Sequence, residues 1–85
     1  MIHFVYVLRS LKDGRFYVGM TTDLDRRILE HNNGKTKSTK GYRPWELFFS
    51  EELETRDLAR KREKYLKSGY GKKWIKEKWF RSSAG

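Results

Sequence analysis

Residues 17–27 read YVGMTTDLDRR, and this stretch decides the fold because it joins the end of a strand to the start of a helix. Its first part is β-rich, so we expect a strand over residues 15–19. Thr22 is then predicted to cap a helix whose first turn carries two aspartates, and negative charge at that end interacts favourably with the helix dipole. The helix is expected to end where Asn33-Gly34 gives a typical stop signal.

On the N-terminal side of this stretch, residues 2–8 form an apolar run that predicts a buried strand, antiparallel to the next one. A two-residue turn at 13–14 would set Ser10 opposite Tyr17, whereas a looser loop would set Tyr6 opposite Tyr17. Both registers place Tyr6 and Tyr17 on one face of the hairpin, because residues opposite each other share a face. The pair is either an ordinary cross-strand aromatic contact or two phenols beside a reacting phosphate.

On the C-terminal side, three further elements are predicted. They are a strand over 45–50, a helix over 55–68 that Thr55 caps, and a short basic helix over 72–81. The order ββαβαα predicts an α+β fold, with a three-stranded, mainly antiparallel sheet flanked by helices. We expect one domain over residues 1–81 and a frayed C-terminal tail over 82–85.

Composition narrows the function. The chain has 85 residues, with 20 Lys and Arg against 11 Asp and Glu, which gives a formal net charge of +9. Such a field attracts polyanions, so nucleic acid is the expected partner and an anionic membrane surface the second choice. The absence of cysteine excludes disulfides and cysteine-ligated zinc. No apolar run is long enough to cross a bilayer and no signal-peptide pattern is present, so a cytoplasmic location without membrane association is expected.

The first helix carries two polar residues where packing calls for apolar ones. Leu24, Arg27, Ile28 and His31 follow the spacing of a core-facing stripe. Arg27 is either a side chain that snorkels at the edge of the core or a guanidinium that binds phosphate bidentately. His31 alone is more typical of a structural histidine, and Glu30 is predicted to lie on the solvated surface.

The basic loop over 34–43 contains Gly-Lys-Thr, but it is not a P-loop, because Leu29 stands where that motif requires glycine. The loop is either a solvated, mobile segment or a patch that contacts the phosphate backbone. The residues of the predicted patch are Lys35, Lys37, Lys40 and Arg43.

The second helix is predicted to bury Leu58, Arg62, Tyr65 and Leu66, with Glu63 at the edge of this stripe. Glu63 is either the partner of Lys67 in an ion pair between successive turns or a ligand of Mg²⁺, which needs only one or two protein carboxylates.

The order of these features resembles the GIY-YIG nuclease superfamily. The first signature corresponds to Phe4-Val5-Tyr6, with Phe-Val in place of the leading Gly-Ile, and the second corresponds to Tyr17-Val18-Gly19. The stretch 17–27 is similar to the core block of the family, and Arg62-Glu63-Lys64 resembles its second-helix block. The likeness covers nearly the whole chain and is greatest to the small stand-alone bacterial GIY-YIG proteins. Relatives include the N-terminal nuclease domain of UvrC.

The resemblance implies a metal-dependent endonuclease that hydrolyses phosphodiester bonds in DNA, or else RNA, with one Mg²⁺ or Mn²⁺ ion. One tyrosine would act as general base or orient the attacking water, Arg27 would stabilise charge on the phosphate, and Glu63 would hold the metal. Lys40, with Thr39 as the alternative, would be a supporting loop residue. The implied catalytic set is Tyr6, Tyr17, Arg27, His31 and Glu63, and the implied nucleic-acid contacts are Gly19, Lys35, Lys37, Lys40 and Arg43.

Two other classes of function stay open at this point. Many members of the family carry a polar residue, often Asn, after the Glu helix, and residues 70–85 offer no clear counterpart. One alternative is a nucleic-acid-binding module without catalysis, and the other is a basic protein-interaction domain. The sequence does not determine the oligomeric state, and a monomer is compatible with it.

Overall fold

The computed structural model describes residues 1–84, with the side chains of residues 1–82. Its elements are β1 (His3–Ser10), β2 (Phe16–Thr21), α1 (Leu24–Asn32), α2 (Lys37–Lys40), β3 (Trp45–Leu53), α3 (Arg56–Lys67) and α4 (Gly69–Ala84). The strands form one antiparallel sheet in the order β2-β1-β3. The predicted α+β class and its three-stranded sheet are confirmed, and the basic loop contains the additional short helix α2.

Side chains alternate across β1, so the two faces of the sheet are covered by different helices. The face that carries Val5 and Val7 packs against α3 and α4. The face that carries Tyr6 and Leu8 packs against α1 and Trp45. Strand β2 contacts only β1 in the sheet, so its other edge is free.

The register of the hairpin differs from both predicted registers. Leu8 lies opposite Tyr17 and Tyr6 lies opposite Gly19, and residues 11–15 connect the two strands. Since the observed register is shifted by two residues from each of them, side-chain parity is unchanged. The prediction that Tyr6 and Tyr17 share one face of the hairpin is therefore confirmed.

Helix α1 begins one residue later than predicted. Asp23, and not Thr22, is the N-cap, and its carboxylate accepts a hydrogen bond of 3.2 Å from the backbone N–H of Arg26. The helix ends at Asn32 as expected, and Gly34 follows with a φ of +78°, a conformation that favours glycine.

Helix α3 begins after Thr55, which caps it as predicted. Its buried face differs in part from the prediction: Leu66 is buried as expected, but Leu58 and Tyr65 are 48% and 44% exposed, whereas Ala59 and Glu63 are buried. Ala59 belongs to the same core cluster as Val5 and Val7 of β1.

Helix α4 begins at Gly69, three residues before the predicted start, so Gly71 lies inside it. A Cβ on Gly71 would overlap the backbone of Tyr65 and Leu66, so this glycine allows α3 and α4 to pack closely. The tail predicted to fray from residue 82 is helical as far as Ala84, and Gly85 lies outside the described residues. Over residues 1–84, no helix has the length and apolar character that crossing a membrane requires.

Candidate active site

A chain of buried hydrogen bonds connects the central strand to α1 and α2. The Tyr6 hydroxyl lies 2.8 Å from Nε2 of His31, and Nδ1 of His31 lies 2.8 Å from the Thr39 hydroxyl. The Thr39 hydroxyl also donates a hydrogen bond of 3.3 Å to the carbonyl oxygen of Thr36. Because all three side chains are buried, this chain fixes their mutual positions.

These contacts define the tautomer of His31. The single hydroxyl proton of Thr39 is donated to Thr36, so the Thr39 oxygen accepts the proton of His31 Nδ1. Nε2 of His31 then has a free lone pair and accepts the hydroxyl proton of Tyr6. Burial, with a contribution from the charge of Arg27, lowers the His31 pKa to about 4, so His31 is neutral at pH 7.

Tyr6 also keeps its proton at neutral pH. Burial raises the pKa of Tyr6 to about 12, and the charges of Tyr17 and Glu63 act in the same direction, while Arg27 opposes them. Tyr6 is 1% exposed, so it supports the site from below and does not face solvent.

Gly19 lies directly under Tyr6, inside β2 and not at its end. A Cβ at this position would lie 2.6 Å from Cζ of Tyr6 and would also overlap the hydroxyl, so only glycine leaves room for the ring. The expectation that Gly19 contacts nucleic acid does not fit this geometry, because the residue is buried beneath the tyrosine.

Tyr17 is the signature tyrosine that reaches the surface, since it is half-buried. Its ring centroid lies 6.5 Å from that of Tyr6, 5.0 Å from that of His31 and 6.2 Å from that of Trp45. The aromatic contact predicted for the two tyrosines is therefore present, and it extends to two more rings.

Arg27 lies beside the tyrosines on α1 and is half-buried. Its Nη1 donates a hydrogen bond of 3.0 Å to Oε1 of Glu30. Burial alone would lower the Arg27 pKa, but interactions with Glu30 and the Tyr6 hydroxyl outweigh it and raise that pKa. Glu30 is thus a partner of Arg27, and the prediction that it is only solvated surface is wrong.

Glu63 is one of the three buried residues of α3, together with Ala59 and Leu66, and is 8% exposed. Its Oε2 accepts a hydrogen bond of 3.3 Å from Nζ of Lys67, as the ion-pair interpretation predicted, and its Oε1 lies 4.0 Å from Nε of Arg60.

Helix α3 packs on the opposite face of the sheet from Tyr6 and Tyr17, so Glu63 does not share their face. The negative charge of Glu63 makes a small contribution that raises the pKa of Tyr6. Tyr17 and Lys67, the ion-pair partner of Glu63, both line one cavity beside the free edge of β2.

Glu63 is the candidate metal ligand, and no group of three or more His, Cys, Asp or Glu side chains accompanies it among the described residues. A single carboxylate of low exposure suits Mg²⁺, which keeps several waters and takes further oxygens from a phosphate. The site therefore fits one hydrated Mg²⁺ or Mn²⁺ and does not fit a metal that needs a full set of protein ligands.

The four cations of the predicted patch, Lys35, Lys37, Lys40 and Arg43, are all exposed on the segment around α2. Of the two candidates for the supporting loop residue, Thr39 contacts His31 and Lys40 is exposed. The sequence could single out Thr39 only as an alternative, since a contact between His31 and a residue eight positions later follows no helical or strand period.

Comparisons with known proteins agree with this geometry. Residues 2–78 match the GIY-YIG catalytic domain. The chain is 39% identical over 75 residues to the UPF0213 protein SSP2268 of Staphylococcus saprophyticus, which covers 87% of this chain and 90% of that protein. It is 44% identical over 80 residues to the UPF0213 protein YazA of Bacillus subtilis, with 89% and 80% covered.

A solved structure is similar as well. The solution NMR structure of the UPF0213 protein BH0048 from Bacillus halodurans superimposes with a TM-score of 0.55 at 38% identity, covering 91% of this chain and 84% of that one. The family match spans both signature strands, α1 and the Glu63 helix. The chain therefore belongs to the GIY-YIG family of nuclease domains, among its small stand-alone UPF0213 proteins.

Proposed function

We propose that this protein is an endonuclease that hydrolyses phosphodiester bonds in nucleic acid, DNA in the first place, with one bound Mg²⁺ or Mn²⁺. The observation that supports this most is that residues 2–78 match the GIY-YIG catalytic domain and carry a guanidinium, a phenol and a carboxylate at Arg27, Tyr17 and Glu63. Arg27 and Tyr17 come from one face of the sheet and Glu63 from the other. The charge of +9 supports a polyanionic substrate.

Arg27 binds the phosphate that reacts. The guanidinium is always protonated and has five N–H donors, of which Glu30 engages one at Nη1. The remaining donors can reach two phosphate oxygens and neutralise the charge that builds at phosphorus. Glu30 positions the guanidinium for this contact and does not itself touch substrate.

The two tyrosines have different roles. Tyr17 is the one that can contact the attacking water, because it reaches the surface whereas Tyr6 is buried. Tyr6 donates its proton to neutral His31, and its high pKa makes it a poor base at neutral pH. Tyr6 and His31 therefore position Tyr17 and Arg27, with Thr39 holding the His31 tautomer.

Glu63 would hold the metal ion, and Lys67 neutralises its carboxylate in the structure described here. When bound, the metal would polarise a phosphate oxygen and assist departure of the leaving oxygen. Glu63 contributes the negative charge and the low exposure that favour a cation at this point.

The test is a cleavage screen on duplex, nicked, branched and single-stranded DNA and RNA with Mg²⁺ and Mn²⁺. Glu63→Gln should abolish metal-dependent cleavage and leave nucleic-acid binding within about twofold, because it removes the metal's anionic ligand at constant side-chain size. Glu77→Gln is the matched control, since it makes the same change at an exposed residue of α4 and should leave the rate unchanged.

Two results would contradict the proposal. Undiminished cleavage by Glu63→Gln would show that the carboxylate serves only its ion pair with Lys67. A wild-type protein that binds nucleic acid but cuts no substrate with either metal would instead be a binding module that keeps the fold and the charge.

A further inference from the structure

A cavity of about 440 Å³ opens beside the free edge of β2, between that strand and helices α3 and α4. Its floor is apolar, because Val18, Leu66 and Ile75 line it and belong to the buried core. Phe16 adds the face of an aromatic ring. The volume lies in the range of about 300–1,000 Å³ that is typical of small-molecule sites.

The rim of this cavity has a single sign of charge. All of its charged lining residues are cationic, namely Arg15, Lys67, Lys72 and Lys76. Arg15 pairs with Asp13, and Lys67 pairs with Glu63. Lys72 and Lys76 are exposed and form no ion pair within the part of the chain that the structure describes. The cavity therefore suits an anion that has a flat apolar body.

The cavity has one lining residue in common with the candidate active site. Tyr17 belongs to both, and Lys67 connects the cavity rim to the Glu63 carboxylate through a contact of 3.3 Å. A nucleic-acid strand with one phosphate at Arg27 and Glu63 would therefore have a neighbouring nucleotide at the mouth of the cavity.

We propose that this cavity binds one unpaired nucleotide next to the phosphate that is cleaved, with the base on the apolar floor and the adjoining phosphates on Lys72 and Lys76. The inference rests on the proposed function, since that site sets the path of the strand. A base in a continuous duplex is stacked and paired, so it cannot enter the cavity. The protein should then prefer DNA that has an unpaired nucleotide at the cleavage point.

The test measures binding without divalent metal, so that it does not depend on cleavage. Three short DNA duplexes are compared: one with a single bulged nucleotide, one with an abasic residue at the bulge, and one continuous. Removing the bulged base should weaken binding to the wild type about tenfold, which is typical of the loss of one stacked base. The ratio of the affinity for the bulged duplex to the affinity for the abasic duplex should fall to about threefold or less in Lys72→Ala/Lys76→Ala. The reason is that the two lysines no longer bind the phosphates that keep the nucleotide in the cavity.

The control is Lys61→Ala/Lys64→Ala, which removes the same charge from exposed lysines of α3 that do not line the cavity. It should weaken binding to all three duplexes by one common factor and keep the tenfold ratio. In heteronuclear NMR spectra, the methyl signals of Val18 and Ile75 should shift with the bulged duplex and not with the abasic one.

The outcomes separate this inference from the proposed function. Equal affinity of the wild type for the bulged and abasic duplexes, or an unchanged ratio in Lys72→Ala/Lys76→Ala, would overturn the cavity as a nucleotide site while nucleic-acid binding remains. Failure to bind any of the three duplexes would overturn the proposed function itself, and the inference with it.

Discussion

Tyr6 donates its hydroxyl proton to Nε2 of His31 across 2.8 Å, and neither residue faces solvent. This contact connects the central strand to α1 within the candidate active site. It also makes the neutral form of the imidazole a requirement of the folded state, since protonated His31 could not accept from Tyr6.

The first prediction concerns the pH dependence of stability. The His31 pKa is about 4 in the folded protein and about 6.5 when unfolded, so only the unfolded chain gains a proton between these values. Stability from this group is complete above pH 6.5 and is lost as the pH falls to about 4. Urea unfolding followed by tryptophan fluorescence should show a loss of about 2–3 kcal/mol over this range.

His31→Gln is the comparison for this measurement, because glutamine does not titrate. The carboxylates titrate in both proteins, so the difference between the two pH profiles isolates His31. Parallel profiles would show that His31 is not held neutral by the fold.

The second prediction concerns the glycine beneath Tyr6. Gly19→Ala should lower the free energy of unfolding by about 1–3 kcal/mol, because its Cβ would overlap the hydroxyl and Cζ of Tyr6. Gly41→Ala is the matched control: a Cβ there meets nothing within 4 Å, so its stability should stay within about 0.5 kcal/mol of wild type. Equal stability of the two variants in chemical denaturation would show that the Tyr6 ring does not require glycine at position 19.

The third prediction separates two adjacent arginines of α1. Arg27→Ala should reduce cleavage by about 100-fold or more and also weaken binding, because it removes a phosphate contact at the reacting centre. Arg26→Ala should change the rate by less than about twofold, since the Arg26 side chain is 76% exposed and shares only Glu30 with Arg27. Steady-state cleavage rates and filter binding distinguish the two variants. Similar effects of both substitutions would show that Arg27 contributes only as one of the surface charges.

The fourth prediction concerns the basic segment around α2. With about four phosphate contacts, the logarithm of the binding constant should fall against the logarithm of salt concentration with a slope of about −3 to −4. Lys35→Ala/Lys37→Ala should make the slope less steep by about 2, because each contact contributes about 0.9. A slope that does not change in this variant would place the phosphate contacts elsewhere on the protein.

The sequence was sufficient to predict those parts of the site that depend on the alternation of side chains along a strand or on local capping residues. Tyr6 and Tyr17 were placed on one face although both predicted registers were wrong, because shifts of two residues preserve side-chain parity. The N-cap at Thr55 and the end of α1 were likewise set by short-range chemistry.

The parts that failed depend on contacts between distant segments. The hydrophobic pattern predicted Leu58, Tyr65 and Leu66 in the buried face of α3, but packing against the sheet buries Ala59 and Leu66 and leaves Leu58 and Tyr65 exposed. Adjacent residues differ by about 100° of helical rotation, so the choice of Ala59 over Leu58 turns the buried face toward Glu63. The hydrophobic periodicity of α3 does not indicate that this helix packs on the face of the sheet opposite the tyrosines.

The position of β1 in the middle of the sheet has a consequence for the nascent chain. Strand β1 is synthesised before β3, which it needs as one of its two neighbours, and His3 pairs with Leu53. A partial chain that stops before Trp45 contains Tyr6, Tyr17, Arg27 and His31 but lacks one side of its central ladder, and Glu63 has not yet been synthesised. Pairing of such high sequence separation forms late. The candidate site thus cannot be complete until α3 has been synthesised and β3 has paired with β1.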